Sequence, residues 1–274
     1  MKQSTSLGRA HPTQAQREEG TDLLRKSVTK SKRKEQVPFA KDFLRTSDCA
    51  PPLARLIQGG RGGEVRLKLF LTITMMATSS PYDIGRPPTP DSWARRLAVT
   101  GAQPARRVAD SLRWLHKEGF IRLTPRKGAT PQITLLTPQP SGVPSEEYTR
   151  PVGRYISLPL GLWTNGWIID MPATSLVLMM VIRDVQQARD AFRYVPSDER
   201  AMYGLSADTW TRARNDLQRR DLLEVKRVPQ GGEFDYRRMR NLYRVRLEQL
   251  GSPSLADHQL PPESAISHIE TDDE

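Results

Sequence analysis

A chain of 274 residues, 37% hydrophobic and 27% charged, is long enough for one large domain or two small ones, each with a proper core. Its formal net charge of +11 favours a polyanion as partner. The single cysteine, Cys49, excludes an internal disulfide framework or thiolate metal cluster, and His11, His116, His258 and His268 lie far apart without ligand spacing. No run approaches the ~18 apolar residues of a membrane span, and the polar N-terminus lacks an apolar signal core. A soluble cytoplasmic, nucleoid-associated protein without membrane contact or cofactor is expected.

Residues 1–37 are polar and basic, with Lys26, Lys30, Lys32, Arg33 and Lys34 near the end. They read as a disordered arm, either a solvated leader or a segment that touches DNA. A first domain is expected over 38–138. It holds a helix over Glu64–Thr78 and another over Asp91–Val99, capped by Thr89-Pro90-Asp91. An arginine-rich helix follows in "RVADSLRWLHKEGFIRL" (107–123), with Val108, Leu112 and Leu115 on one face. The alternation Ile121, Leu123 and then Ile133, Leu135 predicts a β-hairpin, with Pro125, Gly128 and Pro131 in its bend and Arg126 and Lys127 in or near its loop.

The stretch "TPQPSGVPSEE" (137–147) reads as part of a linker over 139–151. A second domain, 152–250, has an entry strand, a long helix from about Ala173 to Tyr194 and a short one from Pro196 to Tyr203. Then comes "GLSADTWTRARNDLQRRDLLEV" (204–225), with Ser206 as N-cap and a thin apolar stripe of Trp210, Ala213 and Leu217. Shifting by 102 residues maps Val108 onto Trp210, Leu115 onto Leu217 and Phe120 onto Leu222. A second hairpin, with Gly231 and Gly232 in its bend, carries Arg237, Arg238 and Arg240 and returns through Tyr243, Val245 and Leu247. From Gly251 to Glu274 there is no lysine or arginine but six carboxylates, so 251–274 reads as an acidic disordered tail. It could contact the chain's own basic faces or a basic partner; solubility is the plainer role.

Each half thus reads helix, short helix, turn, arginine-rich helix, hairpin. The fold class expected is mainly α with small β-hairpin wings (α+β): two tandem winged helix-turn-helix domains with disordered termini. In that motif the apolar stripe seats the helix and the remaining face enters a major groove. The residues expected to meet DNA are Arg106, Arg107, Ala109, Asp110 and Arg113 on the first helix, and Thr209, Thr211, Arg212 and Asn215 on the second. Arginine can grip guanine O6/N7 and asparagine can pair with adenine. Arg126, Lys127, Arg237, Arg238 and Arg240 would meet phosphate or the minor groove. The excess of arginine over lysine suits such contacts, although GC-rich codon usage gives the same composition.

Asp208 to Lys226, "DTWTRARNDLQRRDLLEVK", resembles the reading segment of bacterial winged-helix regulators, with Asp221 where that family has glycine. "YISLPLGLWTNGWIIDMPA" (155–173), a strand followed by L-P-x-x-L-W and a helix, is similar to helix-turn-helix domains of plasmid and mobile-element replication initiators. The resemblance spans roughly 38–250 at the level of architecture. It implies a sequence-specific double-stranded DNA-binding protein acting as a transcriptional regulator; the alternatives are an initiator that binds repeated origin sites and a non-catalytic protein-interaction module. Association of two copies is compatible with either DNA-binding reading.

Other features read more plainly. "LIQGGRGGEVRLKLF" (56–70) lacks the Lys and Ser/Thr of a phosphate loop and serves as a helix entry. Trp163, Trp167, Met75, Met76 and the apolar face through Val177, Met180, Val181 and Val185 read as packing. Asp198/Glu199 read as helix N-terminal charge and Asp272/Glu274 as tail. No catalytic constellation stands out, so no enzyme activity is expected.

Overall fold

Much of the segment expected to be a disordered arm is helical; residues 1–10 of it lie outside the described residues. In the computed structural model, which describes residues 11–34, 36–47, 49–58, 61–139, 143–187, 189–229, 239–256 and 259–262, residues Gln14–Ser31 form an 18-residue helix, α1. Thr13 and Gln16 close a capping box at its start. Gly20, Leu24, Ser27 and Val28 form its buried face. The basic cluster that suggested an arm is partly structural: Arg33 donates to the carbonyls of Met75 (2.8 Å), Thr74 (3.0 Å) and Ala77 (3.2 Å), satisfying a helix C-terminus. Low mean hydropathy hid a helix whose few apolar residues share one face.

The chain continues through β1 (Val37–Ala40), α2 (Lys41–Leu44), α3 (Pro52–Ile57) and α4 (Arg61–Met76). Next come β2 (Asp83–Ile84), α5 (Pro90–Arg96), α6 (Pro104–Lys117), β3 (Ile121–Arg126), β4 (Ala129–Thr137) and β5 (Glu146–Glu147). The second half has β6 (Tyr155–Leu158), α7 (Gly161–Thr164), α8 (Trp167–Asp170), α9 (Ala173–Gln186) and β7 (Arg193–Tyr194). It ends in α10 (Ser197–Met202), α11 (Ala207–Arg219), β8 (Leu223–Pro229), β9 (Met239–Val245) and a 3₁₀ turn at Leu247–Gly251. The architecture is mixed α+β, with small antiparallel sheets flanked by helices.

Two sheets share one plan. β2, β4 and β3 lie in that order, and so do β7, β9 and β8, each short first strand pairing with the hairpin's second strand. The β2 and β7 strands have two residues each, too short to leave a periodic signal in sequence. For the same reason the long helix expected to reach Tyr194 stops at Gln186. Gln187 takes a left-handed conformation (φ 52°) as its C-cap, and Arg193–Tyr194 turn into β7. In the first hairpin, Pro125 and Pro131 sit within the strands, not in the bend. The reversal is Lys127-Gly128, with Arg126 opposite Ala129 and a register shift between Thr124 and Arg126 that accommodates the proline.

The halves do not behave as two bodies on a linker. β1 pairs antiparallel with β6, Val37 opposite Leu158 and Ala40 opposite Tyr155. Trp163 Nε1 donates to Thr72 Oγ1 (3.2 Å), and Lys68 Nζ to the Ile169 carbonyl (2.8 Å), both inside the protein. One apolar core runs through Leu24, Phe43, Leu69, Phe120, Ile168, Val177, Trp210 and Tyr243. α1 spans the join: Arg17 bonds Asp170 (2.6 Å) on one side while Ser27 accepts from Arg96 (3.1 Å) on the other. A Cβ at Gly20 would lie 2.9 Å from Ile169 Cδ1 and 3.0 Å from the carbonyls of Arg95 and Arg96, so glycine permits the close approach. The expected linker contains a strand pair, Glu146–Glu147 pairing to Thr137 and Leu136. Trp163 and Trp167 are core residues, as expected.

The tail's first residues are docked too. Ser252 carbonyl accepts from Trp167 Nε1 (2.8 Å), Ser254 N–H bonds the Asn165 carbonyl (2.9 Å) and Ala256 is buried. The carboxylates of the tail (Asp257, Glu263, Glu270, Asp272, Asp273, Glu274) lie outside the described residues. Among the described residues, no helix is long and apolar enough to cross a membrane.

Candidate nucleic-acid interface

The arginine-rich helices are seated by one buried stripe each. On α6 it is Val108, Ser111, Leu112 and Leu115; on α11 it is Trp210, Ala213, Arg214, Asp216 and Leu217. Trp210 packs edge-on against Tyr243 of the returning strand (5.8 Å between centroids) under the Arg200 guanidinium (5.0 Å). Ser206 caps α11 through the Thr209 N–H (3.2 Å), so the helix starts at Ala207 as expected.

Both helices end in the same turn, at the 102-residue offset. Phe120 N–H bonds the Leu115 carbonyl and Leu222 N–H the Leu217 carbonyl, each at 2.9 Å; Gly119 bonds His116 (3.2 Å) and Asp221 bonds Gln218 (3.0 Å). These are paired Schellman closures. Gly119 has φ 72° and Asp221 has φ 56°, so aspartate takes the left-handed turn, its carboxylate bonded to Arg246 (2.5 Å). Ile121 then faces Leu135, and Leu223 faces Val245, as first pairs of the two hairpins.

With the stripes buried, a matching outer face remains on each helix. On α6 it carries Arg106, Asp110, Arg113 and Lys117; the same offset gives exposed Asp208 and Arg212 on α11, then Asn215 and Arg219, which are half-buried, Arg219 paired with Asp216 (3.3 Å). Side-chain exposure is 73% for Arg106, 53% for Asp110 and 71% for Arg113, against 76% for Asp208 and 73% for Arg212. Asp110 sits 2.5 Å from Arg113 and 4.0 Å from Arg106, and Asp208 lies 2.5 Å from Arg212. Such exposed pairs contribute about 0.3–0.5 kcal/mol and can be exchanged for contacts to a ligand at little cost. Lys117 and Arg219 were not singled out in the sequence; the i, i+4, i+7, i+11 spacing from Arg106 and Asp208 was the signal.

Several arginines and polar residues are committed elsewhere. Arg107, one residue round the helix from Arg106, donates to the Thr100 carbonyl (2.6 Å) and braces the turn before α6. It therefore leaves the expected reading face. Ala109 is half-buried beside the stripe. Thr209 Oγ1 accepts from Ser206 Oγ (2.9 Å) at the N-cap, and Thr211 is half-buried. Asn215 is half-buried and accepts from Arg214 Nε (3.1 Å).

Of the four arginines on α11 and its cap, Arg214 and Arg220 are buried. Asp216 Oδ2 accepts from Ser175 Oγ (2.7 Å) and Arg220 Nε (3.0 Å), and Arg220 also reaches the Leu255 carbonyl (3.4 Å). This charged cluster fixes α11 to α9 and to the following segment. A stripe read by hydrophobicity alone omits it.

At the first hairpin Arg126 bonds the Gly85 carbonyl and so ties the loop to β2, while Lys127 is exposed at its tip. At the second, Arg240 is exposed and stacks over Tyr194 (5.5 Å); Arg237 and Arg238 lie outside the described residues. Lys226 and Arg244 lie over the Phe192 ring (5.5 and 5.1 Å), Arg244 also paired with Glu224 (2.7 Å), contacts not anticipated from spacing.

Two tyrosines are held protonated well beyond their ordinary range. Burial pushes Tyr148 up to about 12. Burial, then the neighbouring carboxylate, raises Tyr203, whose hydroxyl donates to Asp184 (2.8 Å). Asp184 also meets Arg45 (3.4 Å) and Arg154 (3.8 Å), linking α9 and α10 to the chain around β1 and β6. Burial lowers Arg66, whose guanidinium lies 4.3 Å over the Trp114 ring. Among the described residues, no group of three or more His, Cys, Asp or Glu could hold a metal ion. Comparison of the chain with known protein families, with characterised proteins and with solved structures finds no match.

Proposed function

We propose that the protein is a sequence-specific double-stranded DNA-binding protein built from two winged helix-turn-helix units, acting as a transcriptional regulator. The observation that carries this reading is the repeated plan: helix, two-residue strand, helix, helix, hairpin, with strand order β2-β4-β3 and again β7-β9-β8. In such a unit α6 and α11 are the reading helices, and their outer faces supply guanidinium and carboxylate groups able to contact base edges. The hairpins, with Lys127 and Arg240, supply contacts to phosphate or the minor groove. A net charge of +11 supports the sequence-independent share of the affinity.

A second reading, a plasmid or mobile-element replication initiator, draws on β6 followed by α7, the strand and L-P-x-x-L-W helix of such domains. Purified protein incubated with sheared DNA of its own source, followed by sequencing of what it retains, separates the two. Single sites upstream of genes are expected of a regulator, and a cluster of repeats at one locus of an initiator. No salt-dependent retention at all would remove both and leave a protein-interaction module.

A further inference from the structure

The two outer faces are the same in position and opposite in sign. Arg106 and Asp110 on α6 occupy the places of Asp208 and Arg212 on α11, at the offset that superposes the buried stripes, the helix-ending turns and the first strand residues Ile121 and Leu223. Each pair spans one helical turn, but α6 reads base-then-acid and α11 acid-then-base.

Helix energetics explains only one of the two. An acidic residue in the first turn, four places before a base, suits both the macrodipole and the preferred pair orientation, as Asp208 and Arg212 do. On α6 the first turn has no acidic residue, and Arg106 lies at the positive end of the dipole, in the less favourable pair order. Arg106, supported at the helix start by its bond to Gln103 Oε1 of the N-cap (3.3 Å), thus stands exposed and against the dipole, at the end of the helix that meets base edges in the proposed docking. The next position along the face differs too, exposed Arg113 against half-buried Asn215.

We propose that α6 and α11 read half-sites in which these contacts are exchanged. This rests on the DNA-binding reading above. Where Arg106 donates a bidentate pair to guanine O6/N7, Asp208 accepts from the N4 amino group of cytosine. Where Asp110 accepts from cytosine, Arg212 grips guanine. At the third place Arg113 selects guanine and has no counterpart on α11, where the amide of Asn215 is engaged by Arg214. The preferred site is then neither a direct repeat nor a palindrome, and two G·C pairs of one half-site become C·G in the other.

The test is selection from a random duplex library by the full chain, and by the swapped variants R106D/D110R and D208R/R212D. All four positions are exposed, so both variants should unfold thermally within a few degrees of the parent. The parent should enrich a bipartite motif with the two inverted base pairs. R106D/D110R should enrich a motif whose half-sites agree at those pairs, with a preference of about tenfold for each exchanged pair. A parent motif with identical half-sites, or a swap that leaves the motif unchanged, would overturn the proposal while leaving DNA binding intact. Enrichment of no motif by the parent, with salt-independent binding, would overturn both.

Discussion

The two halves solve one packing problem with different residues, and the difference separates what the repeated plan requires from what each half adds. Seating α6 takes Val108, Leu112 and Leu115; seating α11 takes one large ring, Trp210, plus a buried charged cluster around Asp216. Closing α6 takes a glycine, and closing α11 an aspartate tied to Arg246. Backbone hydrogen bonds are shared by both halves, whereas side-chain chemistry is not. The shared part is therefore the backbone geometry that presents a helix, and the unshared outer faces are where the proposed readings of the two halves can differ.

The largest expected effect probes the seat of the second helix. Trp210→Ala removes an almost fully buried ring and should cost about 3–5 kcal/mol. Val108→Ala at the matching place should cost less, because fewer buried atoms are lost. Urea denaturation of both variants measures the difference, and equal losses would mean that the stripes are not equivalent.

Next is the join between the halves. Gly20→Val should cost about 1–3 kcal/mol by overpacking against Ile169 and the α5 carbonyls. If the halves cooperate through α1, unfolding should also broaden or split into two transitions in differential scanning calorimetry. A single, unshifted transition would contradict the clamp.

The helix-ending turns give a smaller contrast. Gly119→Ala forces a side chain into a left-handed conformation, at about 1–2 kcal/mol, and also displaces the Ser145 side chain. Asp221→Gly relieves that same cost but loses the bond to Arg246, so its effect should stay within about 0.5 kcal/mol, as measured by urea midpoint.

A separate effect is expected in alkali. The folded state holds Tyr148 protonated to about 12. The unfolded chain releases that proton near pH 10, so this contribution to stability is complete below pH 10 and is lost as the pH rises toward 12. Tyr148→Phe should flatten the fall in urea midpoint between pH 9 and 11. An unchanged slope would place the titrating group elsewhere.

Much of this was legible in the sequence because it is periodic. The Trp210, Ala213, Leu217 stripe, the Ser206 cap and the 102-residue correspondence all come from regular spacing, which one helix face enforces. What escaped was either short or polar. The β2 and β7 strands are too short to alternate, and α1 buries only a few residues of a hydrophilic segment. Arg33, Arg107, Arg214 and Arg220 carry the same letter as the exposed arginines, and only the fold reveals that they satisfy carbonyls and carboxylates within the chain. The pairing of β1 with β6 joins residues more than a hundred positions apart, beyond any local pattern. That Arg106, Asp110, Arg113 and Arg212 lie exposed on the outer faces follows from spacing alone, because exposure follows directly from the stripe.

The central claim is that the outer faces of α6 and α11 read duplex DNA. Its most direct test measures fluorescence anisotropy of the best selected duplex against the full chain and R106A/R113A/R212A, across a series of salt concentrations. The account predicts that the parent binds the selected duplex far more tightly than a scrambled one, with affinity falling steeply as salt rises. The triple variant should fold normally and lose that discrimination, retaining only weak binding that is alike for both duplexes. Equal discrimination by parent and variant would contradict the account.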